Sequence, residues 1–283
     1  MVLKEDKNKI NSGLYIVSTP IGNLKDITLR ALDVLNQSDL ILCEDTRVSK
    51  KLLSHYKIIK KVISYHKFNE KKKLENTIEI LKHGKVVSLI SDAGTPTISD
   101  PGRILINKCI QQSIQIIPVP GPSAVTTAFS ISGFSDQFYF HGFLADTKNS
   151  IKRDFEKFKN LKCTIIFFVS VHKLNKNFEL LKEFFFGREL IICRELTKLH
   201  ESIYRGKITD VNNFKFNLKG EVTVIISHKS EDDQEDLDES DKEKIKKLIQ
   251  NKSVKDIVRI FSQEKNISKS KIYNYCLLIK NEK

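Results

Sequence analysis

The sequence has no tryptophan, one methionine and only six prolines among its 283 residues. No apolar run approaches the roughly 20 residues that cross a bilayer, and the first seven residues carry too much charge for a signal peptide. The chain is therefore not expected to span a membrane, and we predict a cytoplasmic location. Hydrophobic content of 40% is that of a globular protein with a sizeable core.

Cysteine is also sparse, and the pattern excludes several common chemistries. The five cysteines are scattered in apolar surroundings without the paired spacing of a zinc site or a disulfide framework, which predicts buried free thiols and no metal. The chain contains no GxxxxGK[ST], GxGxxG, HExxH or GxSxG motif. Nucleotide-phosphate loops, zinc peptidases and serine hydrolases therefore lack support.

Basic residues are in excess, with a net charge of +13. A charge of this size permits a nucleic-acid partner. However, 40 of the 48 basic residues are lysine, and a bias toward lysine and isoleucine is also what an AT-rich genome produces. The charge is compatible with RNA binding without establishing it.

The scarce prolines are concentrated where predicted strands end. An apolar run at 86–90 leads into Ser91–Gly102 and then a helix from Arg103, and the strand at 114–119 leads into a second such loop at 118–123. The strand at 13–18 ends in a third, at 19–23. Sharp turns alone would explain one such loop. Three of them favour a ligand site at the strand ends of an α/β sheet.

Strands alternate with helices along most of the chain, which predicts two α/β domains with a cleft between them. We place the first domain at 13–134 and the second, with a mixed sheet and a helix at 174–186, at 137–229. Residues 231–243 hold nine acidic side chains, so 230–243 is predicted to be a solvated linker.

The last 40 residues predict a small helical module. Residues 244–283 carry eleven basic and three acidic side chains, and Ser253 and Ser268 are suited to cap helices. A helix-turn-helix-like RNA-binding module, with Tyr273 and Tyr275 available to stack on bases, is one interpretation. A packing appendage is the other.

Several motifs resemble, in order and spacing, those of the tetrapyrrole-methylase-like superfamily, and within it the family of ribosomal RNA small subunit methyltransferase I. The similarity runs from about residue 13 to the C-terminus. The motifs are TPIGN at 19–23, EDTR at 44–47, SDAGTP at 91–96, DPG at 100–102, PGPSA at 120–124, GFL at 142–144 and RELTK at 194–198.

The resemblance implies a fold of two α/β domains of the tetrapyrrole methylase type and transfer of a methyl group from S-adenosylmethionine. The acceptor would be the ribose 2′-oxygen of a cytidine in the decoding region of 16S rRNA. It also implies a homodimer. The matching cofactor positions are Pro20, Asp92, Ala93, Gly94, Ser123 and Ala124 in the first domain and Phe168, Val169, Leu196 and Val222 in the second.

Departures from the family pattern affect part of this assignment. Phe168 and Val169 stand where the family usually has Tyr-Glu, Lys173 stands where it has Arg, and Ser18 stands where proline is common. A polar contact through the family's glutamate is therefore not carried over to this chain.

Methyl transfer to a ribose hydroxyl is helped by a group that takes the hydroxyl proton. Our candidates, in order, are Asp26, Glu44, Asp45 and Asp100, with Arg47 orienting a carboxylate or a phosphate. For the 44–47 cluster, a capped helix start with an ion pair is the structural alternative. His66 and His172 also match family positions, although hydrogen-bonding a turn would explain either of them.

Two other functions remain open from the sequence. One is C-methylation of a tetrapyrrole precursor, against which the 44–47 and 92–96 motifs and the basic C-terminal module argue. The other is a non-catalytic RNA-binding assembly factor, which the departure at Val169 leaves possible.

Overall fold

The computed structural model describes residues 9–134, 137–213, 220–228, 237–264 and 267–281. Of the described residues, those up to 133 together with Cys193–Ile203 and Gly220–Thr223 form one compact unit, and the others form a second. Residues 193–203 and 220–223, which the sequence assigns to the second domain, thus group with the first unit. No helix among the described residues is long and apolar enough to cross a membrane.

The N-terminal part alternates strands and helices as predicted. Its elements are β1 (Gly13–Val17), α1 (Leu29–Gln37), β2 (Leu40–Cys43), α2 (Thr46–His55), β3 (Val62–Ser64), α3 (Glu70–Lys82), β4 (Val86–Leu89), α4 (Arg103–Gln111), β5 (Ile116–Val119) and α5 (Ala124–Ser130). The sheet order is β3-β2-β4-β1-β5, and the four pairings are all parallel.

Both faces of this sheet are covered, because successive strand residues point to opposite sides. Tyr15 and Val17 pack in one buried cluster with residues of α1 and α2. Leu14 packs in the other with residues of α3 and α4. Thr28 accepts a hydrogen bond from the Ala31 N–H and begins α1 as its N-cap. Helices on both faces leave the strand ends as the exposed edge.

The second sheet has the order β6-β7-β10-β8-β9. Its elements and neighbouring helices are β6 (Phe138–Phe143), α6 (Lys148–Phe158), β7 (Thr164–Ser170), α7 (Val171–Lys176), α8 (Phe178–Phe185), β8 (Glu189–Arg194), β9 (Ser202–Lys207) and β10 (Glu221–Ile226). β6 and β7 pair in parallel. The Ser227 N–H bonds to Glu189 O and the Glu195 N–H to Glu221 O, so β8 and β10 run antiparallel. The sheet is mixed, as predicted.

The helix predicted at 174–186 is two helices instead. Asn177 separates α7 from α8, with φ −118° and ψ 14°, outside the helical range. Its side-chain amide donates to the Lys173 carbonyl and so satisfies a group at the end of α7. Asn177 thus ends α7 through its side chain, and α8 begins at the next residue without a side-chain cap.

Three helices close the chain: α9 (Glu239–Leu248), α10 (Val254–Glu264) and α11 (Lys269–Asn281). Residues 239–243, which the sequence assigns to the linker, form the first turns of α9; residues 229–236 lie outside the described residues. Acidic side chains suit a helix start, and Asp238 and Asp241 form a reciprocal capping box there.

The three helices share a buried core that includes Ile257, Phe261 and Ile272. Ser253 and Ser268 accept hydrogen bonds from the N–H groups of Asp256 and Lys271, as their predicted capping roles require. Tyr273 is exposed, whereas Tyr275 is partly buried against the core. Tyr275 therefore offers less of its surface for stacking on a base than Tyr273 does.

Candidate functional site

Five loops lie along one edge of the first sheet, because the carboxyl ends of parallel strands point the same way. We name them by the preceding strand: the β1 loop (18–23), the β2 loop (44–47), the β3 turn (66–70), the β4 loop (90–102) and the β5 loop (118–123). The sheet order places the β4, β1 and β5 loops side by side. The β2 loop and the β3 turn extend the edge in the other direction.

Hydrogen bonds join the three Pro/Gly loops. Thr19 and Gly94 exchange two backbone hydrogen bonds, of 2.9 and 3.0 Å, which makes an antiparallel bridge between the β1 and β4 loops. The Ser18 hydroxyl lies 3.0 Å from the Thr95 hydroxyl, and Thr95 donates to the Pro122 carbonyl of the β5 loop at 3.1 Å. The loops therefore form one connected platform.

The β4 loop contains an unusual density of left-handed backbone. Gly94 and Gly102 have φ of +80° and +123°, and Thr97 and Ser99 have φ of +69° and +72°. Left-handed residues with a side chain are uncommon, and strain of this kind concentrates at functional sites because the surrounding structure must hold it. The path of the loop is thus imposed by its neighbours.

The β2 loop connects to the β4 loop through an aspartate. The Asp45 backbone N–H donates to Asp92 Oδ1 at 3.1 Å. The Asp45 side chain caps α2 by accepting from the Arg47 N–H, and it also pairs with the Arg47 guanidinium at 2.7 Å. The hydrogen bonds from Arg47 lower the pKa of Asp45 to about 2. Asp45 is therefore ionised, committed to Arg47 and a poor proton acceptor.

Three further carboxyl groups at this edge have raised pKa values. Burial first, then the charge of Glu44, raises the pKa of Asp100 to about 6, although a hydrogen bond with the Ser91 side chain opposes the shift. Burial and the charge of Asp92 raise the pKa of Glu44, while the nearby His66 lowers it. Burial is also the main cause of the raised pKa of Asp92. Carboxylates that lie close together raise one another's pKa, so one of them can gain and lose a proton near neutral pH.

The β3 turn is held by its own polar side chains. The Asn69 amide donates to the Ser64 carbonyl at 3.3 Å and to its hydroxyl at 3.0 Å. The His66 Nδ1 accepts from the Phe68 N–H at 3.3 Å. Glu70 reaches the β4 loop, where its Oε2 accepts from the Gly102 N–H at 3.3 Å. His66 thus bonds a turn, as the structural alternative expects, and it also sits close enough to Glu44 to act on its charge.

A segment from later in the chain packs on the β1 loop within the same unit. A side chain at Gly22 would collide with Lys198 Cγ and Thr197 Oγ1, at 2.5 and 2.6 Å, so the approach requires glycine. The Thr197 hydroxyl accepts from the Asn23 N–H at 3.0 Å. Lys198 in turn pairs with Glu195 and Glu221 at 3.1 and 2.9 Å. These contacts fix the buried Leu196 beside the β1 loop.

The structure brings together most of the predicted site residues. Pro20, Asp92, Ala93, Gly94, Ser123 and Ala124, with Glu44, Asp45, Arg47 and Asp100, all lie on loops of this one edge or at the helix starts that follow them. Asp26 is exposed on the 3₁₀ turn Leu24–Asp26, which directly follows the β1 loop. Val222 is buried in the same unit, and Phe168 and Val169 lie on β7 in the other unit.

Three residues of the platform were not among the predicted site residues, although Thr95 and Thr197 lie within the family-like motifs. Thr95 bridges two loops, Glu70 holds the Gly102 N–H, and Thr197 holds the β1 loop. Each acts on a partner 27 to 174 positions away along the chain. The sequence gives a weak signal for two of them: Thr95 is a small polar residue directly after Gly94, and Glu70 is an acidic residue at the start of α3.

The fold, together with a family match over residues 13–212, places the chain among methylases of the tetrapyrrole type. The uroporphyrin-III-C-methyltransferase structure from Thermus thermophilus matches with a TM-score of 0.54 at 18% identity, over 76% of this chain and 93% of that one. The family model "Tetrapyrrole (Corrin/Porphyrin) Methylases" matches residues 13–212. Within this class, the chain belongs to the family of ribosomal RNA small subunit methyltransferase I.

Two relatives of that name show the extent of the similarity. The protein of Mesomycoplasma conjunctivae is 47% identical over 219 residues, which are 76% of this chain and 91% of that protein. The protein of Bacillus subtilis is 36% identical over 273 residues, or 92% of both chains. The second comparison therefore reaches into the C-terminal helices.

Membership makes the protein a methyltransferase, and the methyl donor that it implies is S-adenosylmethionine. The residues at the edge fit such a ligand. Asp92 and Ala93 are exposed next to the side-chain-free Gly94. Asp92 Oδ2 accepts no hydrogen bond from the described part of the chain, which leaves an acceptor for a hydroxyl or an ammonium group.

Proposed function

We propose that the protein methylates the ribose 2′-oxygen of a cytidine in the decoding region of 16S rRNA, with S-adenosylmethionine as donor. The observation that carries the proposal is the 36% identity over 92% of both chains with ribosomal RNA small subunit methyltransferase I of Bacillus subtilis. The carboxylate cluster at the sheet edge supplies chemistry that suits this reaction.

The ligand would be held by the β1, β4 and β5 loops. Asp92 and the backbone at Ala93 and Gly94 would contact its polar groups, and the start of α5 at Ser123 and Ala124 would lie beside it. Phe168, Val169, Leu196 and Val222 are the remaining proposed contacts. When bound, S-adenosylmethionine supplies a methyl group on a positively charged sulfur, which a nucleophile attacks in line. The chain's part is to position the attacking oxygen.

We propose Asp100 as the proton acceptor because of its burial and its raised pKa. A general base works best when its pKa lies near the operating pH, and the pKa of Asp100 is raised to about 6. Glu44 is the neighbouring alternative, since its pKa is raised as well. Asp45 is held by Arg47, and Asp26 is exposed. We therefore propose Asp100 first and Glu44 second, ahead of Asp26 and Asp45.

The proposal is tested with purified protein, labelled S-adenosylmethionine and small subunits from a strain that lacks the modification. We expect label on a single cytidine of the decoding region, retained as an alkali-resistant ribose methylation. Label on a porphyrinogen instead of RNA would replace the proposal by tetrapyrrole methylation. Ligand binding and RNA binding without turnover would identify a non-catalytic assembly factor.

Arg47 provides a second test, because its side chain is 87% exposed at this edge. We propose that it contacts a phosphate of the RNA. R47A is expected to lower kcat/KM for small subunits about 5- to 10-fold and to reduce the salt slope of RNA binding by about one. The free energy of unfolding should change by less than about 0.5 kcal/mol, since exposed ion pairs contribute little.

The matched control for R47A is K50A, which removes an exposed positive charge one turn further along α2. If both variants weaken RNA binding equally, the general charge of the helix is responsible and a specific contact by Arg47 is refuted.

The C-terminal helices would add affinity for RNA. Residues 244–283 carry eleven basic and three acidic side chains, and Tyr273 is 48% exposed on α11.

A homodimer and a cytoplasmic location complete the proposal, in line with the family. Sedimentation equilibrium of the purified protein, with a mass near twice 32.6 kDa as the expected result, checks the dimer.

A further inference from the structure

Phe68 is an aromatic side chain fully presented to solvent by an ordered turn. It is 93% exposed, whereas the neighbouring Tyr65 is 1% exposed. Single exposed apolar residues are common on protein surfaces and need no explanation by themselves. Phe68 differs because of how its turn is held and where that turn lies.

The turn around Phe68 is fixed on both sides. The N–H groups of Asn69 and Glu70 both donate to the His66 carbonyl at 2.9 Å, and the His66 N–H donates to Asn69 Oδ1 at 2.9 Å. The Phe68 N–H is bonded to the His66 ring, which also meets the Phe68 ring edge-on with centroids 6.1 Å apart. The turn thus presents the ring to solvent on a fixed backbone, and ordering the backbone in advance lowers the entropic cost of binding.

The turn is also tied to the proposed catalytic carboxylates. Glu70 bonds to the Gly102 N–H in the β4 loop, two positions after Asp100. On the other side, His66 lies close enough to Glu44 to lower the pKa of that carboxyl group. Phe68 therefore lies near the carboxylate cluster, at the carboxyl end of β3, which is the outermost strand on that side of the sheet.

Three lysines lie within four positions of Phe68 along the chain. Lys67, Lys71 and Lys72 are exposed, and no described acidic residue pairs with them. A flat aromatic ring flanked by unpaired positive charge suits single-stranded nucleic acid, since the ring stacks on a base and the lysines attract the backbone. An apolar patch on a partner protein would instead favour an aromatic side chain without positive charges beside it.

We propose that Phe68 stacks on a nucleobase of the RNA substrate, next to the nucleotide that is methylated, and so positions the substrate at the carboxylate cluster. The inference rests on the proposed function and names a residue that contacts its substrate. The lysines supply attraction that depends on salt, whereas stacking is largely independent of it.

The lack of tryptophan in the chain allows a direct test. F68W introduces a single fluorescent reporter at the turn, and I59W places one at a residue that is 95% exposed just before β3, at the opposite edge of the sheet. At saturating concentration, a single-stranded RNA of the decoding region should quench the tryptophan emission of F68W in both 50 mM and 200 mM salt. The emission of I59W should stay unchanged. Equal responses of the two variants would overturn the proposal.

Kinetics test the consequence for catalysis. F68A should raise KM for small subunits about 10-fold, because base stacking on an aromatic ring is worth about 1–3 kcal/mol, while binding of S-adenosylmethionine stays unchanged. F68Y should restore KM, and I59A should match the native protein. If the native protein methylates RNA and F68A has the same KM as the native protein, stacking by Phe68 is refuted. Absence of RNA methylation by the native protein itself would refute the proposed function instead.

Discussion

Replacing Asp100 by asparagine is expected to lower kcat for methyl transfer by about 100-fold or more, the usual contribution of a general base. The amide keeps the size of the side chain but cannot accept the hydroxyl proton. Substrate and donor should still bind, because the surrounding loops are held by hydrogen bonds that do not involve Asp100. The loss is measured in single-turnover reactions with labelled donor.

The same substitution is expected to stabilise the fold. The pKa of Asp100 is raised from 3.8 to about 6, so between these values the folded protein binds more protons than the unfolded chain. Stability from this group is therefore present at low pH and is lost as pH rises through about 6. At pH 7, D100N removes an ionised, partly buried group, and after discounting for solvent screening we expect about 1 kcal/mol of added stability.

The pH profile separates a base from a structural residue. The native kcat should rise between pH 5 and 7, with its midpoint near the pKa of Asp100, about 6. D33N is the matched control, since Asp33 is an exposed aspartate on α1. A D100N enzyme with native kcat and an unchanged profile would remove Asp100 from the mechanism and direct the same experiment to E44Q.

The sequence was sufficient for the order of strands and helices because each strand ends in a glycine- or proline-containing loop or a polar turn. Tyr15 and Leu14 alternate between two buried faces, and the apolar pattern that predicts them is local. The position of Asn177 as a helix boundary is not visible in that pattern, because the apolar spacing continues through it. Similarly, acidic residues at 238–241 are typical of a linker and of a helix start alike.

The candidate site was predictable as a set of loops but not as a network. Glycine and proline mark the strand ends, and a parallel sheet brings those ends to one edge. The pairing of Thr19 with Gly94 and the bond from Glu70 to Gly102 depend on sheet order, which local sequence does not encode. The pKa of Asp100 likewise depends on burial and on Glu44, 56 positions earlier in the numbering. Ranking the carboxylates therefore required the structure.

Gly102 should be the glycine at this edge that tolerates substitution least. Its φ is +123°, and a Cβ there would lie 2.4 Å from Leu89 Cδ2 and 3.1 Å from Thr97 Cγ2. Leu89 is 2% exposed within a packed cluster, so it has little room to move away. Backbone strain and overpacking each cost about 1–3 kcal/mol. We expect G102A to lose about 3 kcal/mol of stability by urea denaturation.

G84A is the matched control, because Gly84 also has a positive φ, +73°, but a Cβ there meets nothing within 4 Å. It should cost about 1 kcal/mol, the backbone part alone. Gly102 lies between Asp100 and α4 and donates its N–H to Glu70, so G102A should also lower kcat, whereas G84A should not. If both variants lose the same stability and keep native kcat, the contact with Leu89 does not shape the β4 loop. A larger loss confined to G102A would show that this buried leucine helps hold the proposed base in place.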